Sequence, residues 1–316
     1  MKEYNNTPVL VTGAEGFIGS ALVHRLAREG ARVSAEVHPS APRDRLTGLE
    51  DTVRIYSLDI RDRAGLVKMA EESPPRKIFH LAAMTDVGRG WEKIEEALSV
   101  NLGGTVNLLS ALSRVDHEIV IAACTAEAYG RNPAPFKEEM PLDPISPYSF
   151  SKAAATLFCR MAAASLGVSI RILRLFLVYG PGQGEERFLP QVIRAGLTGA
   201  PIRMTAGEQT REYTYIDDAV EGFLMAAKDG PGGGEVFNLG TGEEVSLREL
   251  VALIDSMMEG VVRVDPEVLP YRENEIRRFV GDHRKFREAF GWAPAVSLKD
   301  GLEETISWYR HNPIYK

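Results

Sequence analysis

Cysteine is scarce in this chain. There are two, Cys124 and Cys159, and neither stands in C-x-x-C or a similar metal-ligand spacing. A disulfide framework would be unusual at this length, and no metal site is expected. Long apolar runs are lacking too: the stretch from Ile170 to Val178 is broken by Arg171 and Arg174, so no membrane partner is expected. Residues Met1 to Pro8 are polar and lead into an apolar strand. They do not read as a signal peptide, which makes the cytoplasm the expected location. Nor is there a basic block. The 37 Lys and Arg are mixed with 44 Asp and Glu for a net charge of −7. Nucleic-acid surfaces concentrate cations against phosphate, so no such partner is expected. The chain also has no internal repeat and no low-complexity tail.

What is present is a regular α/β texture over 316 residues, 44% of them apolar, enough for a substantial core. Short apolar runs at Val9 to Thr12, Arg32 to Val37, Val53 to Leu58, Lys77 to Ala82, Ile119 to Cys124 and Ser169 to Leu175 alternate with amphipathic stretches. The latter predict helices at Ile18 to Glu29, from Asp59 to about Ala70, Trp91 to Ser113 and Tyr148 to Leu166. This is the pattern of a parallel, doubly wound sheet covered by helices. After Tyr179 the segment Gly180-Pro181-Gly182-Gln183-Gly184 breaks the alternation. Further helices are expected at Arg187 to Thr198, Asp217 to Lys228, Ser246 to Met258 and Leu298 to Tyr309. The expected division is a Rossmann-type unit at 1–176 plus about 213–240, with a smaller C-terminal α/β substrate unit at about 177–212 plus 241–316.

The first strand runs into Gly13-Ala14-Glu15-Gly16-Phe17-Ile18-Gly19 and then a helix. Glycines at such a turn let the backbone approach a pyrophosphate, whose charge the helix N-terminus favours. A glycine triplet alone is a weak signal; its strand and helix flanks strengthen it. The G-x-x-G-x-x-G spacing resembles the extended short-chain dehydrogenase/reductase family, the nucleotide-sugar-modifying NAD-dependent epimerases and dehydratases, and the resemblance runs along nearly the whole chain. It implies cofactor contacts at Gly13, Gly16, Phe17, Ile18 and Gly19, at Asp59 and Ile60, at Leu81, Ala82 and Ala83 after His80, and at Asn101. The plainer readings are a helix cap for Asp59, a packed histidine for His80 and a solvated helix residue for Asn101. Family members that prefer NAD carry Asp seven residues after the glycine before strand two. That position is Val37 here, and Glu36 falls on the other face of the strand. With His38, Arg43 and Arg45 following, NAD or NADP is expected, with a lean to NADP through His38 and Arg43.

Pro147-Tyr148-Ser149-Phe150-Ser151-Lys152 opens a long Ala-rich helix, with Tyr148 and Lys152 on one face. A free phenol has a pKa of about 10. A neighbouring ammonium and a positive nicotinamide would lower it, making Tyr148 a proton acceptor. The resemblance also implies a role for Lys152 in holding the nicotinamide ribose, for Thr125, four residues before Tyr129-Gly130, in bonding the reacting sugar oxygen, and for Glu127 as a base or an orienting group. Asp-using 4,6-dehydratases of the family have Asp where this chain has Ala126, a departure that argues against that subtype.

Arg174-Leu175-Phe176-Leu177-Val178-Tyr179-Gly180-Pro181-Gly182 resembles a family segment whose usual Asn is Leu177 here. Arg211 and Arg272 resemble two arginines that clamp a sugar-nucleotide diphosphate, and Thr85 is placed beside the sugar. Asn238-Leu239-Gly240-Thr241-Gly242 matches a family turn taken as structural. The expected activity is oxidation at sugar C4 and passage through a 4-keto intermediate, as in nucleotide-sugar epimerases and dehydratases. The alternative is an NADPH-dependent 4-keto-sugar reductase, and a regulator without chemistry is a third reading, disfavoured because Tyr148 and Lys152 are retained. A homodimer is expected through the helices at 91–113 and 148–166.

Overall fold

In the computed structural model, which describes residues 3–85 and 90–312, alternate residues of each central strand pack on opposite sides of one sheet. Strand β1 (Pro8–Thr12) leads through the glycine turn to α1 (Phe17–Arg28), followed by β2 (Arg32–Val37), β3 (Val53–Ser57), α2 (Arg63–Glu72) and β4 (Lys77–His80). The helical stretch after β4 is not one helix. It runs as a 3-10 turn (Trp91–Lys93), α3 (Ile94–Ala97), a π segment (Leu98–Gly103) and α4 (Gly104–Leu112). Then come β5 (Ile119–Thr125), α5 (Pro147–Leu166), β6 (Ile170–Leu175), β7 (Leu177–Tyr179), α6 (Phe188–Thr198), β8 (Thr210–Tyr215), α7 (Ile216–Ala226) and β9 (Glu235–Leu239). The chain continues through β10 (Glu244–Ser246), α8 (Leu247–Met257), β11 (Arg278–Phe279), α9 (Arg284–Phe290) and α10 (Leu298–His311).

The large sheet has the order β3-β2-β1-β4-β5-β6-β9 and is parallel throughout. Val9 and Val11 of β1 join Val33, Ala35 and Val37 of β2 in one apolar layer beneath α1 and α7. Leu10, Ile78, Val120 and Ile172 face the other layer, under α2, α4 and α5. Burial on both faces explains why these strands are apolar nearly throughout. Strand order reverses between β1 and β4, and in doubly wound sheets the crevice at the carboxyl ends of the strands flanking that reversal is where ligands bind. A second sheet joins β10, β8 and β11, with β7 also pairing β8. Strand β9 therefore returns the chain to the large sheet after β8 has entered the small one.

The end of β2 pins the glycine turn. Ala14 N donates to the Glu36 carbonyl, and Gly13 N donates to the Glu36 carboxyl at 2.9 Å. Glu36 lies on the face opposite Val37, as strand alternation requires, and is 2% exposed. Burial pushes its carboxyl up to about 8, the nearby Glu15 and Asp59 add to the rise, and the bond from Gly13 opposes it. The folded chain thus holds this proton over a pH range where the unfolded chain has released it. More protons bound in the native state means that this group's contribution to stability falls as pH rises from about 4.5 to about 8. Glu36→Gln should flatten that loss. In paired thermal melts the wild type should lose more Tm than the variant between about pH 5 and pH 8, and parallel slopes would sink the assignment.

Candidate active site

At the switch point, the turn after β1 is held from beneath by a buried hydrogen-bond chain. Thr12 Oγ1 accepts from Leu81 N and Ala82 N, both at 3.2 Å, and meets His80 Nδ1 at 2.8 Å. His80 Nε2 meets Thr105 Oγ1 at 2.9 Å, and the Thr105 hydroxyl donates to the Asn101 carbonyl at 2.6 Å. Because Thr105 donates to Asn101, it accepts from His80 Nε2–H, and His80 Nδ1 accepts from Thr12. Burial pulls His80 down to about 3, with Lys152 contributing, so the ring stays neutral and can fill both roles. Asn101 is 1% exposed, not solvated. It lies in the π segment, where its side chain exchanges two bonds with the Met84 backbone and donates to Ser151 Oγ at 2.8 Å on α5. π turns recur where a helix must present one residue out of register. His80 and Asn101 were legible in sequence; Thr12, Thr105 and Ser151 were not, since small hydroxyl residues are common and carry no distinctive spacing.

Above this chain the backbone is open to an anion. Gly13 has φ +66°, and a Cβ there would lie 2.7 Å from the Ala82 backbone. A Cβ on Gly19 would meet the Gly13 carbonyl at 2.1 Å. Gly16 caps α1 without a side-chain bond, and the first helical turn, starting with Phe17 and Ile18, has no acidic residue. These features fit a dinucleotide pyrophosphate. Ile60 and Ala82 are buried, and Leu81 and Ala83 half-buried, along the same edge.

The region beyond β2 differs from the cationic site expected of NADP. His38 contacts Asp59 at 3.3 Å and Ser40 Oγ at 2.9 Å. Asp59 does not cap α2, a role taken by Asp62. It is gripped by Arg61, whose hydrogen bonds hold its carboxyl well below the ordinary range. Arg45 donates to the Gly182 carbonyl at 3.0 Å, and Arg43 is exposed just before a 3-10 turn at Asp44–Leu46.

Thr125, Glu127 and Tyr148 come together where β5 ends and α5 begins. Thr125 Oγ1 accepts from Glu127 N at 3.1 Å and lies close enough to the Tyr148 hydroxyl to favour the phenolate. Ser146, at the N-cap of α5, donates to Glu127 Oε1 at 2.6 Å while closing a reciprocal capping box with Ser149. The cap thereby fixes both the start of the helix and the direction of the carboxylate. Tyr148 is half-buried, and loss of water around its hydroxyl pushes the phenol above its ordinary value. Cys124 and Glu127 add to the rise; the Thr125 bond and Arg187 oppose it. The lowered phenol expected from the sequence is therefore absent in the chain alone. Lys152 is 4% exposed, one helical turn on, and burial pulls its ammonium pKa down. Neither Ser146 nor Arg187 was nominated from sequence, although Ser146-Pro147 before a helix is a start signal.

The substrate-side residues are more scattered. Arg187 reaches exposed Thr85, at 3.4 Å to Oγ1, so these two join the Tyr148 group. Residues 86–89, just beyond Thr85, lie outside the described residues. Arg211 on β8 donates to the Thr210 and Ile276 carbonyls at 2.8 Å and pairs with Glu275, while Arg272 is exposed on the same loop as Glu275. Leu177 is 36% exposed where the family segment has Asn. Asn238 is fully buried and bonds Tyr129, Phe136 and Asp282, a structural role.

Residues 9–240 match the profile of the NAD dependent epimerase/dehydratase family. A UDP-glucose 4-epimerase of Mycolicibacterium smegmatis is 36% identical over 96% of this chain and 98% of its own. Among solved structures, a UDP-glucose 4-epimerase of Thermotoga maritima with UDP-glucose superposes with TM-score 0.89 at 30% identity, covering 96% of this chain and 98% of its own. A dTDP-glucose 4,6-dehydratase of Streptomyces venezuelae with NAD bound gives TM-score 0.88 at 29% identity, covering 98% and 99%. These proteins are epimerases and a dehydratase, and the dinucleotide bound in the dehydratase is NAD, so neither the reductase alternative nor the lean to NADP finds support. With its seven-stranded parallel sheet, glycine turn and Tyr-Lys helix in place, the chain belongs to the NAD dependent epimerase/dehydratase family.

Proposed function

We propose that this chain is an NAD-dependent enzyme that inverts C4 of a nucleoside diphosphate sugar through a 4-keto intermediate. The observation that carries the reading is the convergence of Tyr148, Thr125 and Glu127 beside the glycine turn, with Lys152 one helical turn behind Tyr148. Bound NAD would supply the hydride acceptor and a positive charge near the phenol. With NAD bound, Tyr148 would take the proton of the C4 hydroxyl as the C4 hydrogen leaves as hydride, giving a carbonyl. Thr125 donates to that oxygen, and Lys152 favours the phenolate electrostatically. With NAD bound, hydride would return to the opposite face of C4 and Tyr148 would return the proton, an inversion without net redox change.

Epimerisation is better supported than 4,6-elimination. Elimination needs an acid beside the C6 hydroxyl, and the residue between Thr125 and Glu127 is Ala126, fully buried. Glu127, fixed by Ser146, orients a sugar hydroxyl. The proposed diphosphate clamp is Arg211 with Arg272, where Arg211 exchanges Glu275 for the phosphate, and Thr85 with Arg187 lies at the sugar. The dinucleotide unit would comprise 1–176 with about 213–240, and the substrate unit about 177–212 with 241–316. No helix among the described residues is long and apolar enough to cross a membrane. A homodimer is proposed through α5, whose Phe150, Leu157 and Met161 are 48%, 56% and 56% exposed, an apolar surface of the kind that interfaces cover.

Tyr148→Phe should lower turnover of UDP-glucose to UDP-galactose by about 10²–10⁴-fold, with NAD binding by calorimetry nearly unchanged. Near-normal turnover would refute the role of Tyr148. Replacing Leu157 and Met161 together by Glu should convert a dimer to a monomer in light scattering, with the melting profile retained. The same mass for both proteins would exclude this face as the interface.

A further inference from the structure

The adenosine ribose of a dinucleotide is ordinarily bound by an acid ending the second strand, and Val37, at that place, is fully buried in the apolar layer. Three carboxylates nevertheless gather there. Glu36 is committed to Gly13 N and is 2% exposed. Asp59 is engaged by Arg61 and His38. Glu15 is different. It sits in the glycine turn between Gly13 and Gly16, half-buried, and its Oε1 accepts from His38 N at 3.1 Å, at the tip of β2. Its other oxygen, Oε2, is buried without a hydrogen-bond partner. A shielded carboxylate oxygen with no donor is costly unless a ligand supplies one.

We infer that Glu15 replaces the missing strand-end acid: its Oε2 accepts from the 2′-hydroxyl of the adenosine ribose, and its charge excludes a 2′-phosphate. The bond from His38 N delivers the carboxylate from the turn to the place that a side chain on β2 would otherwise occupy. Three of the nearby cations are already engaged, Arg61 on Asp59, Arg45 on the Gly182 and Glu15 carbonyls and His38 on Asp59 and Ser40, while Arg43 is exposed. A 2′-phosphate at the Glu15 carboxylate would therefore meet a like charge, with Arg43 alone of these cations not already engaged. NAD selection thus comes from the glycine turn of this chain rather than from strand two.

The inference rests on the dinucleotide reading above, and one experiment separates the two. Wild type, Glu15→Gln and Glu15→Ala are equilibrated with an equal excess of NAD⁺ and NADP⁺ and desalted. The retained dinucleotides are released by denaturation and counted by mass spectrometry, with melting curves as a control for folding. Wild type should retain NAD over NADP by about 100-fold or more, and Glu15→Gln should cut that ratio by at least about tenfold, chiefly by gaining NADP. Glu15→Ala should cut it further by also losing NAD. A folded variant pair with the wild-type ratio, or a wild type that prefers NADP, overturns the role of Glu15 while leaving the dinucleotide reading intact. Retention of neither dinucleotide by folded wild type overturns both.

Discussion

The hydroxyl of Thr12 is the point on which the site depends. It ends β1, accepts two backbone donors from the segment after β4, and donates to a histidine kept neutral by burial. Through His80, Thr105 and Asn101 the same chain reaches Ser151 on α5. Five side chains from four parts of the sequence thereby share one connected network, and a buried network of this kind is stable only when every member is satisfied. Its consequence is positional. The glycine turn, the strand edge expected beside the nicotinamide and the helix carrying Tyr148 are locked to each other by directional bonds, where apolar packing alone would leave the register looser.

The second coupling is at the helix start. One hydroxyl, that of Ser146, accepts from Ser149 N at the start of α5 and donates to Glu127, so the helix start and the carboxylate's direction share a residue. Desolvation here works against the chemistry in the chain alone, because it raises the phenol and lowers the ammonium. The proton transfer proposed above would need the ionised pair, which a positive charge brought in from outside would favour.

Much of this architecture was legible in the residues. Period-two alternation assigns Val9 and Val11 to one face and Leu10 to the other, and the glycine turn, Tyr148 with Lys152, and Thr125 with Glu127 stand in readable spacing because local geometry demands those residue types. The long helix expected over 91–113 was misjudged in its interior, since a π turn adds no periodicity signal strong enough to see. Of the two readings open for Asn101, a cofactor-side position and a solvated helix residue, its burial in that turn excludes the solvated one. The cations of 38–45 suggested a phosphate site, yet those at 38 and 45 are engaged by neighbours that no local pattern predicts.

What the sequence determined by itself is each element and the face every residue takes within it, because strand and helix periods are set by backbone geometry over a few residues. What only the tertiary structure decided is who meets whom across long separations: Glu15 with His38, Arg211 with Glu275, Ser146 with Glu127. Those partners are fixed by how strands order in the sheet and where loops return, so the charge left available at each site is a property of the assembled fold.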